Sequence, residues 1–303
     1  MSVNVLAGMR VFAAVVEAGS FAGAADKLAL SRGMATRYVA QLEAELGVRL
    51  LNRTTRHLSL TGAGGEYYQR VVQVLGLVEE AGSSVAEGAA APRGTLRVSA
   101  PVSFGARHLG RAMTEYLRRF PQVEVDLTLN DRAVDLVEEG FDLAIRIGRR
   151  IDESLIARRV TRARMAVCAA PAYLKRHGTP RSPADLAAHN CLTYAYAAVR
   201  GDWLFRRGAE EKSVRVAGSM RGNNGDVLME AAIAGLGVIR QPTFLVYEAL
   251  RRGQLVRVLP RWEIDEMSVF AVYPNRKFLP PKVRSFIDHL CESLGPEPYW
   301  DAP

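Results

Sequence analysis

Cysteine is scarce: the 303-residue chain has three, Cys168, Cys191 and Cys291. They are too few and too scattered for a disulfide framework or a thiolate metal cage, and they fit a reducing compartment. Long hydrophobic runs are also missing. No window reaches the roughly 18 uncharged apolar residues of a membrane span. The opening stretch MSVNVLAGMRVFAAVVEAGS lacks a basic leader, and Arg10 and Glu17 break its apolar run, so no signal peptide is expected. A cytoplasmic protein without a membrane partner is the expectation. The five histidines (His57, His108, His177, His189 and His289) lack metal-ligand spacing. Neither G-x-S-x-G nor the phosphate loop G-x-x-x-x-G-K-S/T occurs. His189 and Cys191, two apart, would face opposite ways across a strand, which argues against a thiol-protease dyad. Gly235-Leu236-Gly237 follows a helical stretch and precedes a strand, the reverse of a dinucleotide loop. No catalytic residue, metal or cofactor is therefore expected.

What is present is an ordinary globular balance, 49% hydrophobic and 24% charged residues, which excludes wholesale disorder. The length suits two or three domains. Forty Lys/Arg against 32 Asp/Glu leave a net charge of +8 and favour an anionic partner. That charge is unevenly spread. Residues 1–62 hold seven basic and four acidic residues, and residues 63–93 hold two and four. Most of the excess therefore lies beyond residue 93, where an anionic small molecule would feel it.

Residues 1–62 read as helices. Val5, Met9, Phe12 and Val16 fall on one helical face, and Gly19 can end that helix. Ser20 can cap a short alanine-rich helix over 21–28. Ser31 can cap a third, in which Ala35, Val39, Leu42 and Leu46 form a stripe and Gly47 closes the end. Two helices joined by a brief turn make a helix-turn-helix. With that stripe facing a core, Gly33, Arg37, Ala40 and Gln41 point outward and Thr36 sits at the flank. A face of small residues with one Arg and one Gln can enter a major groove, the Arg forking onto guanine and the Gln pairing with adenine. Arg32 and the free amides of the first turn suit phosphate. A plain solvated helix would explain the same residues. The stretch Leu50–Thr61 tips the reading towards DNA. It is basic and β-branched, and reads as a hairpin whose tip carries Arg53 and Arg56.

Residues 63–93 carry Tyr67, Val71, Val74, Val78, Ala81 and Val85 at alternating spacings of four and three, a heptad seam that another helix should cover. A core face would give the same stripe. Gly88, Pro92 and Gly94 mark a boundary. From residue 94, strands (95–100, 123–129, 141–147) alternate with helical patterns (105–120, 132–140), which implies parallel strands with crossover helices. Further strands and helices over 163–266, then a strand at 268–274 and a helix within 281–294, suggest two α/β lobes with a cleft between them. Pro101-Val102-Ser103-Phe104-Gly105 joins a strand to a helix, where Ser103 can cap the helix or meet a ligand. Arg146 is a cation that could face a carboxylate, or a strand-end surface arginine. Asn223-Asn224-Gly225-Asp226 opens a helix of the second lobe, and cap chemistry accounts for it as well as a cleft role does. Arg158, Arg159, Arg162 and Arg164 read as a solvated strand edge.

The stretch SFAGAADKLALSRGMATRYVAQLEAELGVRLLNRTTRHLSLTGAG (20–64) resembles the LysR-type transcriptional regulators, with L-E-x-x-L-G at Leu42–Gly47, R-T-T-R at Arg53–Arg56 and L-T-x-x-G at Leu60–Gly64. The likeness continues through 99–105, 134–148 and 231–242. It implies an α-rich winged helix-turn-helix over 1–62, a dimerising linker helix over 63–93 and a two-lobed α/β effector domain over 94–303, like a periplasmic binding protein. The first lobe would take about 94–162 and 267–303, the second about 163–266. It also implies double-stranded promoter DNA, a small effector, a second copy of the chain (homodimer or homotetramer) and RNA polymerase as partners. The residues so assigned to DNA are Ser31, Arg32, Gly33, Thr36, Arg37, Gln41, Arg53, Thr54 and Arg56. Those assigned to the effector are Pro101, Val102, Ser103, Phe104, Arg146, Asn223 and Asn224. One departure stands out: many members carry S-x-S-x-x-S-R where this chain has Ser31-Arg32-Gly33-Met34-Ala35-Thr36-Arg37. Gly33 removes one polar contact and bears on base preference. The competing readings are a solute-binding module without DNA binding and a hydrolase on the α/β lobes, for which no nucleophile–base pair is evident.

Overall fold

Serine caps and glycine stops set the first elements. The computed structural model describes residues 5–53, 58–84, 91–149, 151, 155–196, 202–264, 266–274 and 279–301. Helix α1 (Val5–Ala18) stops at Gly19, whose φ of 62° is left-handed. Helix α2 (Phe21–Lys27) starts at Ser20, whose hydroxyl accepts from the Gly23 amide at 3.1 Å. Helix α3 (Arg32–Leu46) starts at Ser31 in the same way, accepting from Met34 N at 3.2 Å, and ends at left-handed Gly47. Strands β1 (Leu51–Arg53) and β2 (Leu58–Leu60) pair antiparallel, and helix α4 (Gly62–Ser84) follows. The buried face of α1 is Gly8, Val11, Phe12 and Val15, so the expected stripe is rotated: Val5 is exposed, and Met9 and Val16 are half-buried. In α3, Ala35, Val39 and Leu42 are buried while Leu46 is exposed, because the stripe outruns the core at the last turn.

The chain divides into two compact units, Met1–Ala90 with Val137–Gly140, and Ala91–Leu136 with Phe141–Pro303. The second unit is α/β. Strand β3 (Gly94–Ala100) leads into helix α5 (Val102–Phe104), a π-helical turn (Gly105–Leu109) and helix α6 (Gly110–Arg119). Strands β4 (Val123–Leu129), β5 (Leu143–Gly148), β6 (Leu155–Ala163) and β7 (Met165–Ala169) follow. Next come helix α7 (Pro171–His177), a 3-10 turn (Pro183–Ala188) and strands β8 (Cys191–Tyr194), β9 (Asp202–Arg207), β10 (Glu210–Arg215) and β11 (Arg221–Gly222). Helix α8 (Gly225–Ile233), strand β12 (Val238–Pro242) and helix α9 (Thr243–Arg251) lead to β13 (Val256–Arg257), β14 (Glu263–Ile264) and β15 (Met267–Pro274). Helix α10 (Pro281–Leu294) and a 3-10 turn (Tyr299–Asp301) close the chain.

Two five-stranded sheets result, in the orders β4-β3-β5-β15-β6 and β11-β8-β12-β7-β13, with a small sheet β10-β9-β14 beside the second. The parallel expectation holds for β3 with β4 and β5, and for β8 with β11 and β12. It fails for β15 and β7, which run antiparallel to their neighbours. These strands adjoin the places where the chain passes between lobes, at Arg164 and at Glu266, rather than following a crossover helix. Strand β6 is an edge strand, as its arginines suggested. They are paired rather than merely solvated: Arg158 lies 2.5 Å from Asp288 on α10, and Arg162 reaches Glu297.

The helix expected over 132–140 is absent; the segment is turns and bends. Val134 and Leu136 are buried while Val137 is 55% exposed, an alternating pattern rather than a helical one. Asn130 Oδ1 accepts from Arg132 N at 2.9 Å, and the Arg146 guanidinium donates to the carbonyls of Arg132 and Val134 at 3.2 and 3.3 Å. Those carbonyls are thus held by a side chain where a helix would need them for its own ladder.

Candidate nucleic-acid interface and effector cleft

In the first unit, α2 and α3 pack on α1 through Ala24, Ala25, Ala35, Val39 and Leu42. The turn between α2 and α3 passes through Ala29 at φ 52°, a left-handed conformation rarely adopted outside glycine and asparagine. The opposite face of α3 presents Ser31, Arg32, Gly33 and Arg37 exposed, with Thr36 and Gln41 half-buried. A Cβ on Gly33 would meet nothing nearer than Ser31 Oγ at 4.0 Å, so the helix is slim where a groove wall would approach. Two hydroxyls are engaged locally: Ser31 caps the helix and Thr36 Oγ1 donates to Arg32 O at 2.9 Å. Arg53 ends β1, and Thr54 and Arg56 lie outside the described residues.

Three residues that the sequence reading did not single out hold this surface in place. Glu43, on α3, accepts from the backbone amides of Leu50 and Leu51 at 2.9 and 3.1 Å, tying α3 to the hairpin. Thr61 donates to Arg49 O at 2.8 Å and accepts from Gly64 N at 2.9 Å, capping α4. A Cβ at Gly64 would fall 1.9 Å from Leu50 O, so α4 can lie on the hairpin base only with glycine there. These contacts give the L-E-x-x-L-G and L-T-x-x-G spacings a physical meaning.

The seam on α4 is divided. Val71 is fully buried in the core of this unit, and the Tyr67 ring packs 5.8 Å from Phe12. These two members pack in the protomer's own core. Val74 is exposed and Val78 half-buried, Ala81 lies on the helix, and Val85 falls outside the described residues.

In the second unit, the segment Pro101–Phe104 sits at the carboxyl end of β3, facing α8 of the other lobe. Pro101, not Ser103, occupies the cap position of α5. Asp131 takes the capping role, its Oδ1 accepting from Val102 N at 3.0 Å. Ser103, 8% exposed, instead donates to Asp226 Oδ2 at 2.5 Å. Arg107 forks onto Asp226 Oδ1 at 2.6 Å (Nη2) and 3.0 Å (Nε). The carboxylate of one lobe is thus seated in a hydroxyl–guanidinium pocket of the other. Burial raises the Asp131 carboxyl above the usual range, the Val102 amide opposes that, and the Asp226 charge adds to it. Burial likewise pushes the nearby Tyr194 hydroxyl up to about 12.

Asn224 accepts from Val227 N at 3.2 Å as the cap of α8, and Asn223 is exposed. Arg146 is spent on the carbonyls described above. Gln241, 4% exposed, lies beside the start of α8, where a Cβ on Gly225 would come 3.2 Å from its Oε1; its Nε2 has no partner among the described residues. Phe104 packs edge-on to Phe244 of α9 at 5.2 Å and to Trp300 at 6.0 Å. The π turn brings His108 to the same junction. Its Nδ1 lies 2.6 Å from the Tyr299 hydroxyl and its Nε2 3.1 Å from Phe244 O. Burial lowers its pKa to about 4. The thiol of Cys191 is buried, pushed up to about 12, and faces Leu186 O rather than His189.

Known proteins match this arrangement along its length. Residues 6–65 match the family model of the bacterial regulatory helix-turn-helix protein, lysR family, and residues 89–295 that of the LysR substrate binding domain. The HTH-type transcriptional regulator PtxR of Pseudomonas aeruginosa is 35% identical over 95% of this chain and 92% of its own. The HTH-type transcriptional activator TtdR of Escherichia coli is 32% identical over 93% and 91%. Among solved structures, CrgA, a LysR-type regulator from Neisseria meningitidis, superposes with a TM-score of 0.62 at 32% identity, covering 95% of this chain and 98% of that one. Full-length AphB of Vibrio cholerae gives 0.60 at 28% identity over 95% and 98%.

Proposed function

The chain belongs to the LysR family of bacterial transcriptional regulators, and from that premise we propose that it is a cytoplasmic DNA-binding regulator whose grip on promoter DNA is set by a small organic acid between the lobes. In this reading α3 enters the major groove, Arg37 and Gln41 read bases, and Ser31, Arg32, Gly33 and Thr36 approach the backbone. Arg53, Thr54 and Arg56 serve the adjacent minor groove. The remaining seam residues, Val74, Val78, Ala81 and Val85, pair with a second copy. Two α3 helices then address half-sites about one turn of DNA apart, and two dimers can join as a tetramer next to RNA polymerase. Residues 1–62, 63–93 and 94–303 act as DNA head, linker and effector domain.

The observation that supports the effector chemistry is the seat of Asp226. Ser103 and Arg107 bind the Asp226 carboxylate across the two lobes, so they suit the carboxylate of an effector that displaces Asp226. Gln241 supplies an unused donor alongside. Pro101, Val102 and Phe104 form the wall, Arg146 and Asn224 act through the backbone they hold, and Asn223 meets the effector from the exposed start of α8. An effector that replaces Asp226 breaks a lobe-to-lobe bond and so favours one lobe arrangement over the other, as coupling requires. Footprinting on the DNA upstream of its own gene, with and without a panel of small organic acids, tests this. A footprint that changes length with one acid supports both assignments. A protein that shifts no duplex at moderate salt is a solute-binding module instead.

A further inference from the structure

The second lobe holds a cavity of about 520 Å³ that shares no lining residue with the Ser103–Asp226 cleft. It lies between β7, the β13 edge and β9 of the small sheet, and reaches Arg164 and Glu266, which flank the two connections between lobes. Arg164, Arg206 and Arg257 line it from three separate elements. Their charges are unequally used. Arg206 is committed to Glu211 at 2.7 Å. Among the described residues Arg164 meets only distant carboxylates, Glu297 and Asp301, both at 3.9 Å. The Arg257 side chain is exposed and enters no ion pair or side-chain hydrogen bond among the described residues, while its backbone pairs with Cys168 in the β13–β7 ladder. Of the two acidic lining residues, Glu266 sits 3.8 Å from both Arg159 and Arg162, whereas Glu263 is linked to Arg206 through the backbone ladder and keeps its charge at the rim. Trp262 supplies an apolar wall, and Arg207 stacks on its ring at 4.6 Å.

The wall itself carries strain. Leu259 is 5% exposed and adopts φ 56°, left-handed, immediately before Pro260. A branched side chain rarely takes that conformation, and a following proline disfavours helical values further. The turn is held by Val258 N to Val167 O at 2.9 Å and Trp262 N to Leu259 O at 3.0 Å, which curves it around the cavity. The size suits a small metabolite, and the under-used guanidinium groups suit two acidic groups at once.

We infer that this cavity is a second ligand site, distinct from the cleft, which binds a small dianion carrying carboxylate or phosphate groups between Arg257 and Arg164. Such a ligand ties the connection at Arg164 to the body of the second lobe and so reports on the hinge rather than on the cleft. The full-length protein is titrated with succinate and with inorganic phosphate, against chloride at matched ionic strength, by calorimetry and thermal unfolding. A saturable rise in melting temperature with either probe is expected. Arg257→Gln should weaken that binding about tenfold and Arg257→Glu should abolish it. Both side chains stand on the exposed edge and should leave the ligand-free melting temperature unchanged. Ser103→Ala should leave the response intact. Succinate alone responding identifies a dicarboxylate site, and phosphate alone a phosphoryl site. No response beyond chloride, a response that survives Arg257→Glu, or one lost in Ser103→Ala overturns the inference.

Discussion

The hydroxyl of Ser103 donates to a carboxylate oxygen of Asp226 at 2.5 Å, across 123 positions of sequence and from one lobe to the other. Arg107 holds the second oxygen of the same carboxylate. Asp226→Ala removes both bonds and leaves Arg107, already about a third exposed, to water. Partial exposure discounts the loss to about 1–2 kcal/mol. Hydrogen exchange should therefore quicken at amides 102–107 and 225–228 while the core of β3 stays protected. Unchanged exchange in both segments would mean that the clasp does not hold the lobes.

Gly64→Ala is expected to be among the most damaging single-methyl changes in the chain. The new Cβ would sit 1.9 Å from Leu50 O, a backbone atom that cannot swing away as a side chain can. Either α4 moves off the hairpin or it loses its Thr61 cap. A cost above about 3 kcal/mol is expected for such an overlap. Circular dichroism melting should show early loss of the amino-terminal helices, with DNA binding lost at the same time. Gly65→Ala, whose Cβ meets nothing within 4 Å, serves as the control and should be silent.

Arg37 and Arg32 should separate by salt and by sequence. If Arg37 reads a base, Arg37→Ala costs about 1–3 kcal/mol at one position of the operator and relaxes preference there. Arg32→Ala should weaken every sequence alike and reduce the salt slope by about one unit. Binding curves on an operator and its single-base variants, at several salt concentrations, decide the matter. A uniform loss with Arg37→Ala reassigns it to phosphate.

Local chemistry was legible and long-range chemistry was not. Ser20, Ser31 and Gly47 act within four residues of themselves, so helix starts and stops could be read directly. The clasp could not: Asp226 was passed over in favour of its neighbours Asn223 and Asn224, because only the fold brings it to Ser103. Residues 132–140 were misread because Val134, Leu136 and Val137 satisfy helical and alternating spacings over so short a run. The guanidinium that settles the choice comes from Arg146 on another strand. Helix α9 follows Pro242 directly and opens with Thr and Phe, poor helix formers, so packing in the lobe rather than local propensity sets it. The α4 seam was read as one surface, yet Val71 and Val74 lie only three residues apart on opposite sides of the boundary between core and solvent.

His108 should make the second unit acid-sensitive. It is 3% exposed, bonded to Tyr299 and Phe244 O, and burial lowers its pKa from 6.5 to about 4. Between those values the unfolded chain binds a proton that the folded chain refuses, so stability falls as pH drops from 6.5 towards 4 and is unaffected above that window. The shift corresponds to about 3 kcal/mol at its lower end. His108→Gln keeps a donor and an acceptor but removes the titration. Melting temperatures of the two proteins should differ by a constant amount above pH 7. Below pH 6.5 the wild type should lose ground to the variant, more steeply as pH 4 is approached. Parallel curves over the whole range would show that His108 takes up its proton as readily in the folded protein as in the unfolded chain.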